Sequence, residues 1–400
     1  MHTRKEQDLG EIVSCLIKNL KMSDYKGYDP YDALNSPLIY KYREFPLFAF
    51  FMTVFFRYSP INLREIMDTK PMLNPKALGL IISSYSNIVR LNEPIVSIAE
   101  IEKLVIILLR LKSKEYSGVS WGYPFPWRNR VRLTERYEPS IVVTSFVAHS
   151  LLDYYDLCNN EKIIMAVRKA CDFITNNLNI KEFENGICFG YHPGEKNVIL
   201  NASALGASLL YRVGNYTDDE RLESIADKAM SFLLSRQLPD GRWEYSYDFT
   251  SDIPRTQTDW HQGFILDSLI EYISNNKNPD LLNKLELGAN YYKQQFRKDG
   301  SSYWRTNQWG YPINIHNQAQ GVITFSKLSK YFPAYLKIAE RILGWTISNL
   351  YSGQGFFYYQ KGRFFTNTIS YVRWSQAWML LALTSYLLAY RRKNEAISKK

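Results

Sequence analysis

The 400-residue sequence has few cysteines, no long apolar segment and no excess of acidic residues. Its four cysteines are irregularly spaced, which excludes a disulfide framework and favours buried thiols in a reducing compartment. The most apolar run, residues 45–56, has 12 residues, whereas about 20 are needed to cross a bilayer. This run therefore predicts a core helix, with a peripheral membrane contact as the alternative.

The N-terminal region lacks the apolar core of a secretory signal, because Glu6, Asp8 and Glu11 stand where that core would lie. We therefore expect a cytoplasmic protein, which the alternative membrane contact would place at the inner membrane surface. A zinc site needs more ligands than Cys188 and His192 supply, and these two lie in a glycine-containing loop. We expect neither a metal nor another cofactor.

Charge and aromatic content together favour an acidic sugar as the partner. Lys and Arg exceed Asp and Glu by 49 to 39, a net charge of +10, and aromatic residues make up 15% of the chain. Tyr and Trp combine a flat apolar face with a polar edge, which suits sugar rings. The basic residues are diffuse outside the C-terminal tail and form no nucleic-acid-binding motif, so an acidic oligo- or polysaccharide is expected and nucleic acid is not.

One helical segment recurs five times, starting at residues 144, 201, 259, 316 and 374, which are 57 or 58 residues apart. A small residue at nearly the same offset would let neighbouring helices pack closely, and these residues are Ala148, Gly206, Gly263, Gly321 and Ala377. Residue types that cap helices occur near each start, and they are Thr144, Ser145, Asn201, Asp259, Asn317 and Ser375.

Amphipathic segments between the repeats predict outer helices at residues 162–177, 219–236, 280–297 and 333–350. A further inner and outer pair is predicted at 74–91 and 94–112, and the region up to Tyr58 would supply the last outer helix. Twelve alternating helices predict an all-α fold, an (α/α)6 toroid or barrel of one domain over residues 1–400, closed by residues 1–60. Parallel inner helices would direct their positive dipole ends to one mouth, which attracts anions.

The loops before the inner helices combine glycine with alternating aromatic residues, which predicts short hairpins around that mouth. Aromatic rings there would stack on sugars, and arginines would bind a carboxylate in a bidentate manner. An alternative for about half of the rings is that they only pack the loops onto the ring. The predicted substrate-binding residues are Trp121, Tyr123, Trp127, Arg128, Arg130, Tyr191, His192, Trp243, Tyr245, Arg255, Trp260, Arg305, Trp309, Arg373 and Trp374.

Proton abstraction next to a sugar carboxylate requires a base, an acid on the opposite face and cations. His261 and His316 lie one repeat apart at helix starts, where the dipole favours a neutral imidazole, and Asp259 lies two residues from His261. Tyr311 is a further acid or base candidate, as are Tyr191 and Tyr245. The alternative for the histidines is a hydrogen bond to a neighbouring loop.

Hydrolysis would instead require two carboxylates facing each other across the scissile bond. Glu244 and Asp259 are the pair expected for that reaction, and Glu138, Asp248 and Asp252 also lie in the predicted mouth loops. A third alternative is a non-catalytic glycan-binding or scaffold protein that keeps only the aromatic rim. The leading prediction is an enzyme of the uronyl epimerase or isomerase type, with hydrolysis second.

Two resemblances agree with this fold. The segment KAMSFLLSRQLPDGRW, residues 228–243, resembles the QW repeat of triterpene cyclases, which implies a toroid, while the Asp-x-Asp-Asp motif of a cyclase acid is missing from the sequence. The segments TDWHQGFILDSLIEY, YPINIHNQAQGVITF, YVRWSQAWMLLAL and GYDPYDALNSPL resemble proteins of bacterial and archaeal surface-polysaccharide loci. The first three are also similar, more faintly, to the C-terminal toroid of heparosan-type glucuronyl C5-epimerases. These resemblances imply a role in surface-glycan assembly.

Overall fold

The computed structural model is predominantly helical and describes residues 4–195, 197–247, 253–274, 276, 278–304 and 310–398. A 3₁₀ turn at Asp32–Asn35 and a π-helical turn at Val372–Ala377 interrupt the α-helical pattern. The α-helices in these ranges are α1 (Arg4–Met22), α2 (Pro37–Tyr40), α3 (Pro46–Tyr58), α4 (Pro75–Arg90), α5 (Ile98–Arg110), α6 (Ile141–Cys158), α7 (Glu161–Asn177), α8 (Leu200–Thr217), α9 (Glu220–Ser235), α10 (Trp260–Ile273), α11 (Pro279–Lys293), α12 (Ile315–Leu328), α13 (Tyr335–Leu350) and α14 (Trp378–Ser398).

Six inner helices form a closed ring, because α4, α6, α8, α10, α12 and α14 each pack against the next and α14 returns to α4. The outer helices α5, α7, α9, α11 and α13 follow inner helices, and α1 packs against α14 as the sixth. The predicted (α/α)6 toroid is therefore confirmed. One cluster of buried apolar side chains extends from Leu9 to Ala389, while the assignment of the whole chain to one domain stays a prediction.

The inner helices begin close to the predicted starts, but most of the predicted caps are wrong. Ser140 caps α6 by accepting from the N–H of Val143, and Asn314 caps α12 in the same way. Thr144 lies inside α6, where its hydroxyl accepts from the N–H of Trp121 at 3.1 Å. Capping requires an extended backbone before the first turn, and among the predicted residues only Asp259 caps its helix.

The small residues in the repeats permit close packing, as their spacing predicts. A Cβ atom at Gly206 of α8 would lie 2.4 Å from Cδ1 of Ile141, at the start of α6. A Cβ at Gly321 of α12 would lie 2.3 Å from the ring of Phe296, which follows α11. Larger side chains at these positions would push neighbouring elements of the ring apart.

Glutamines in the first turns of the inner helices hold the preceding loops. Gln262 accepts from the N–H of Trp243 at 3.1 Å and donates to its carbonyl at 2.7 Å. Gln376 forms the same pair with Phe357, at 2.8 Å in both directions, and Gln318 accepts from the N–H of Ser302. Because the backbone polar groups of these buried loops must be bonded, the repeated glutamine fixes each loop at the mouth.

Short antiparallel strands form the predicted hairpins at this mouth. In two of the small sheets the first strand runs directly into α8 or α12, so the hairpins are anchored to inner helices. Within the ranges described, no helix is long and apolar enough to cross a bilayer. The strands are β1 (Trp127–Arg128), β2 (Leu133–Thr134), β3 (Ile180–Phe183), β4 (Gly186–Phe189), β5 (Val198–Ile199), β6 (Ser246–Tyr247), β7 (Pro254–Arg255), β8 (Ile313–Asn314), β9 (Gln360–Lys361) and β10 (Thr366–Asn367).

Candidate functional site

A cavity of about 970 Å³ lies at the end of the ring where the inner helices begin. Every inner helix contributes to its lining from the first turn or the turn before it, so the helix starts converge on one mouth. The contributing residues, in chain order, are Lys76, Val142, Asn201, His261, His316 and Arg373.

Most of the side chains predicted from the sequence line this cavity. They come from the hairpin loops and from the starts of α10, α12 and α14, regions that are more than 200 residues apart in the chain. Their roles in binding or catalysis stay predictions. The residues concerned are Tyr123, Trp127, Arg128, Arg130, Tyr191, Tyr245, Arg255, Trp260, His261, His316, Arg373 and Trp374.

Trp121 and Trp243 do not line the cavity, so their predicted place in the substrate-binding rim is wrong. Both indoles are fully buried in the apolar core. The indole N–H of Trp121 donates to the carbonyl of Leu108, and that of Trp243 donates to the carbonyl of Leu233, both at 2.9 Å. Each ring therefore ties its loop to the end of an outer helix, which is the packing role weighed as the alternative.

His192, Glu244 and Tyr311 are also placed outside the cavity lining. The buried ring of His192 has its Nδ1 2.9 Å from the carbonyl oxygen of Pro139, so this histidine contacts a neighbouring loop. Glu244 is buried and lies 3.4 Å from the guanidinium of Arg242, while Tyr311 is half-exposed. Arg305, Trp309, Asp248 and Asp252 lie outside the described residues.

His261 and Asp259 form a hydrogen-bonded pair at the start of α10. Oδ1 of Asp259 lies 2.5 Å from Nδ1 of His261 and also accepts its backbone N–H at 3.1 Å, while Oδ2 accepts from the amide of Gln257 at 2.8 Å. Since a carboxylate oxygen only accepts, the proton of the neutral imidazole lies on Nδ1. Nε2, on the other edge of the ring, is then the nitrogen that keeps a free lone pair, and His261 lines the cavity.

His316 lies among the aromatic rings of three tryptophans. Its ring centroid is 4.9 Å from Trp260, 4.7 Å from Trp374 and 4.5 Å from Trp378. Burial, followed by the nearby positive charges of Lys76 and Arg373, holds the pKa of His316 well below 6.5. The imidazole is therefore neutral.

Several buried polar atoms around the cavity have no hydrogen-bond partner among the described residues. They include both ring nitrogens of His316, Oδ1 of Asn201 and the indole nitrogen of Trp127. Buried polar atoms of folded proteins are nearly always bonded, so a cluster of unpaired ones is the arrangement expected where a polar ligand binds.

Lys76 is a cavity residue that was not predicted from the sequence. Its side chain is buried, and Nζ lies 4.0 Å from the ring centroid of Phe146 and 5.3 Å from those of Phe264 and Trp378. Burial, with a smaller contribution from Arg373, lowers the pKa of Lys76 well below 10.5. The sequence around Lys76 predicts an inner helix, and no local signal indicates that its second residue faces the mouth.

The helix α3 forms a second part of the wall that was missed. Phe50, Thr53, Arg57 and Tyr58 line the cavity, and the guanidinium carbon of Arg57 lies 4.7 Å from the ring centroid of Tyr31. The apolar run at 45–56 predicts a core helix, but the helix is buried on one side only, since Leu47, Phe51 and Phe55 are exposed. The Arg-Tyr pair directly after this run is the sequence signal that could have indicated a place in the cavity wall.

The cavity is strongly basic. Its described lining contains no Asp or Glu, and Asp259 lies behind His261. One of the arginines, Arg373, is neutralised by Asp29 through two hydrogen bonds of 2.5 and 2.7 Å, and the other basic groups form no salt bridge with a described residue. The remaining basic residues are Arg57, Lys76, Arg128, Arg130 and Arg255. The positive electrostatic potential of these residues would attract an anionic ligand.

No group of three His, Cys, Asp or Glu side chains suited to a metal ion occurs within the ranges that the structure describes. The expectation that the site uses neither a metal nor a cofactor stays a prediction.

Comparison with known proteins gives structural matches only, because neither a protein-family profile nor a curated protein matches the sequence. The chain is similar to an unsaturated glucuronyl hydrolase specific for heparin, at 14% identity over 97% of each chain with a TM-score of 0.62. It is also similar to an alpha-mannanase of glycoside hydrolase family 76 from Bacteroides thetaiotaomicron, at 13% identity over 82% of this chain and 90% of that chain with a TM-score of 0.61.

A third similar structure is cellobiose 2-epimerase from Bacillus thermoamylovorans, at 12% identity over 80% of this chain and 90% of that chain with a TM-score of 0.59. The similarity is one of fold. At these identities the shared architecture is established and the activity is not. The resemblances to glucuronyl C5-epimerases, to surface-polysaccharide proteins and to the QW repeat stay predictions.

Proposed function

We propose that the protein is a carbohydrate-active enzyme that binds a uronate-containing saccharide in the basic cavity and catalyses epimerisation or isomerisation by proton transfer. One observation carries the proposal: His261, oriented through Asp259, lines a cavity whose described lining is basic and aromatic and contains no carboxylate. This arrangement supplies a base and cations, which are the groups required to remove a proton next to a carboxylate.

In this reaction Nε2 of His261 removes the proton from the carbon next to the sugar carboxylate. The imidazolium that forms is stabilised by the carboxylate of Asp259 at 2.5 Å. Negative charge that develops on the substrate carboxylate is stabilised by cations of the lining that form no salt bridge with a described residue, among them Arg128 and Arg255. Asp259 contacts no substrate and acts by orienting His261.

The proton is returned by a group that is protonated at neutral pH. Burial raises the pKa of Tyr245 to about 12, and it raises the pKa of Tyr191 well above 10. Both phenols line the cavity and keep their protons. If the proton is returned to the face of the carbon opposite His261, the configuration of that carbon is inverted. If it is returned to the same face, the original configuration is restored. His316, which is neutral, serves as a hydrogen-bonding partner for a sugar hydroxyl.

The structural neighbours support a saccharide as the substrate class. Their names describe a hydrolase that acts on unsaturated glucuronyl groups, a mannanase and an epimerase of cellobiose. The first of these supports a uronate, and the last shows that the fold accommodates epimerisation. We further propose that the reaction belongs to surface-glycan assembly in the cytoplasm, as the sequence resemblances suggest.

Hydrolysis by Glu244 and Asp259 is supported less well. Asp259 is hydrogen-bonded to His261 and Gln257, and Glu244 lies outside the cavity lining beside Arg242. A retaining or inverting hydrolase needs two carboxyl groups on either side of the scissile bond. The described residues place no such pair in the cavity.

The test is to incubate the protein with a panel of uronate-containing oligosaccharides in heavy water. Deuterium at the carbon next to the carboxylate, without new reducing ends, supports the proposal. New reducing ends without exchange would establish hydrolysis instead. Binding with neither change would establish a non-catalytic glycan-binding protein.

Two matched histidine variants sharpen this test. We expect His261→Gln to abolish exchange, because it removes the base while keeping the volume of the side chain. His149 serves as the control, since it lies near the opposite mouth of the ring, where Nε2 is 3.2 Å from the hydroxyl of Ser208. His149→Gln should keep exchange within about twofold of the wild type, as expected for a residue without contact to the reacting atoms.

A further inference from the structure

A row of large apolar side chains is exposed on α3. Leu47, Phe51 and Phe55 follow at intervals of four residues, so they share one side of the helix, and they are 85%, 60% and 45% exposed. The buried side of the same helix, with Ala49 and Phe56, packs into a small separate core. The exposed row is therefore not needed for the local fold.

Loops around the same mouth repeat this pattern. Val131, Ile253 and Phe364 are 78%, 64% and 89% exposed, and an arginine lies one or two residues from each of them. The three arginines are Arg130, Arg255 and Arg363. None of the three forms a salt bridge with a described residue, although each lies near an aromatic ring.

All of these elements surround the cavity. Arg130, Val131 and Arg255 belong to its lining, as does the inner side of α3. The hairpin of β9 and β10, whose tip carries Phe364, is tied to the end of α3 because the amide of Asn367 donates to the carbonyl of Ser59 at 2.9 Å. We call the exposed side chains Leu47, Phe51, Phe55, Val131, Ile253 and Phe364 the mouth face.

We propose that the mouth face docks on the surface of an anionic lipid bilayer. Apolar side chains at the tips of separate loops can enter the interface together, while arginines beside them contact lipid phosphates. The net charge of +10 favours this partner over a neutral membrane.

Charge also argues against a second copy of the chain as the occupant. A symmetric dimer through the mouth face would bring Arg130, Arg255 and Arg363 of two copies together, and repulsion between these like charges opposes that arrangement. An exposed apolar face of this kind still needs a partner, because monomeric proteins rarely expose large contiguous apolar areas. An anionic bilayer would attract the arginines and would also cover the exposed apolar side chains.

Vesicle flotation tests the proposal without any enzyme substrate, so its outcome is independent of the proposed function. The protein is mixed with vesicles of phosphatidylglycerol and phosphatidylcholine in equal parts, or of phosphatidylcholine alone. We expect flotation with the first, weakened by added salt, and much less with the second. Phe51→Ser combined with Phe55→Ser should lower the partition coefficient about tenfold, since two large apolar contacts are lost.

The matched control combines Ile106→Ser with Met165→Ser, which changes exposed apolar residues on the outer helices α5 and α7. This variant should float like the wild type. Arg363→Ala should reduce the preference for the anionic vesicles. Thermal unfolding of each variant separates loss of binding from loss of folding.

Three results would overturn the proposal. The first is failure of the wild-type protein to float with either vesicle. The second is equal loss of flotation in the control and in the α3 variant. The third is a wild-type dimer in sedimentation equilibrium that the α3 variant dissociates, since the mouth face would then be an interface between two copies.

Discussion

Oδ1 of Asp259 accepts two hydrogen bonds from His261, one from Nδ1 at 2.5 Å and one from the backbone N–H at 3.1 Å. The second bond is the helix cap of α10, so the residue that starts the helix also orients the imidazole. Capping and orientation thus follow from one short stretch, Asp-Trp-His, in the sequence. His261 is the second residue of α10 and lines the cavity.

Asp259→Asn should lower kcat while leaving KM nearly unchanged. The neutral amide can still cap the helix, but it no longer stabilises the imidazolium that forms during proton transfer. We expect a decrease in the exchange rate of about a hundredfold or more, which is within the range known for the carboxylate of a histidine–aspartate pair. The rate of deuterium incorporation at saturating and at low substrate measures both parameters. A rise in KM with an unchanged kcat would show that Asp259 contributes to binding and does not orient a base.

Lys76→Met should stabilise the protein. Burial lowers the pKa of Lys76 well below 10.5, so the unfolded chain binds a proton on this amine that the folded chain resists. The stability of the wild type relative to the variant therefore decreases as the pH falls below 10.5. We expect the variant to unfold at a temperature at least about 2 °C higher at pH 7, with a smaller difference at pH 9.5.

The control for that measurement is Lys70→Met, since Lys70 is exposed and paired with Asp68. It should show no comparable gain in thermal stability. A lower unfolding temperature for Lys76→Met at pH 7 would contradict the expected cost of burying the amine, and would mean that its three aromatic neighbours stabilise it instead.

Binding of an anionic saccharide should take up protons. An anion next to Lys76 favours the charged amine, so the pKa that burial lowers rises again on binding. Isothermal titration calorimetry in two buffers of different ionisation enthalpy measures the number of protons taken up near pH 7.5. We expect net uptake by the wild-type protein and a reduced uptake by Lys76→Met. Equal values for both would place the anionic group elsewhere in the cavity.

Two glycine-to-alanine changes test the packing of the ring. At Gly321 the added methyl group would meet the ring of Phe296 at 2.3 Å, and we expect destabilisation of about 1–3 kcal/mol from overpacking. At Gly344, in α13, nothing lies within 4 Å, so alanine should stabilise the helix by about 0.5–1 kcal/mol. Chemical denaturation of the two variants measures both values. Equal effects at the two positions would contradict the close packing.

The buried histidines His149 and His316 should each cost the protein stability as the pH falls from 7 to 5. Burial lowers the pKa of His149 to about 4 and that of His316 well below 6.5. Below 6.5 the unfolded chain binds protons on these rings that the folded chain excludes, which costs up to about 1.4 kcal/mol per pH unit for each histidine. Denaturation at several pH values should show a shallower dependence for His149→Gln. An unchanged slope in this variant would show that His149 is not responsible.

The ring of helices could be predicted because the sequence features that produce it are local and recur along the chain. A small residue at a fixed offset and an amphipathic segment after it recur through the chain, so element order and closure follow from the spacing. The domain assignment stays a prediction. The caps were less predictable, because several residues able to cap occur near each start and backbone conformation selects among them, as with Ser140 and Thr144.

The site was predictable only where a repeat marks it. His261 and His316 lie near the starts of two recurring segments, whereas Lys76 lies in an inner helix outside the five recurring segments and Arg57 reaches the cavity through the position of α3, which tertiary packing determines. Trp121 and Trp243 were misplaced because indoles that pack a loop and indoles that stack on a ligand occur in the same glycine-rich loops. Only the direction of the side chain distinguishes these roles.

Proton transfer by His261 is tested most directly by the incorporation of deuterium from heavy water into a uronate-containing oligosaccharide, with the wild-type protein and with His261→Gln. We expect exchange at the carbon next to the carboxylate with the wild type and none with the variant, while both proteins bind the saccharide. Equal exchange by the two proteins, or binding without exchange by either, would contradict a catalytic role for His261.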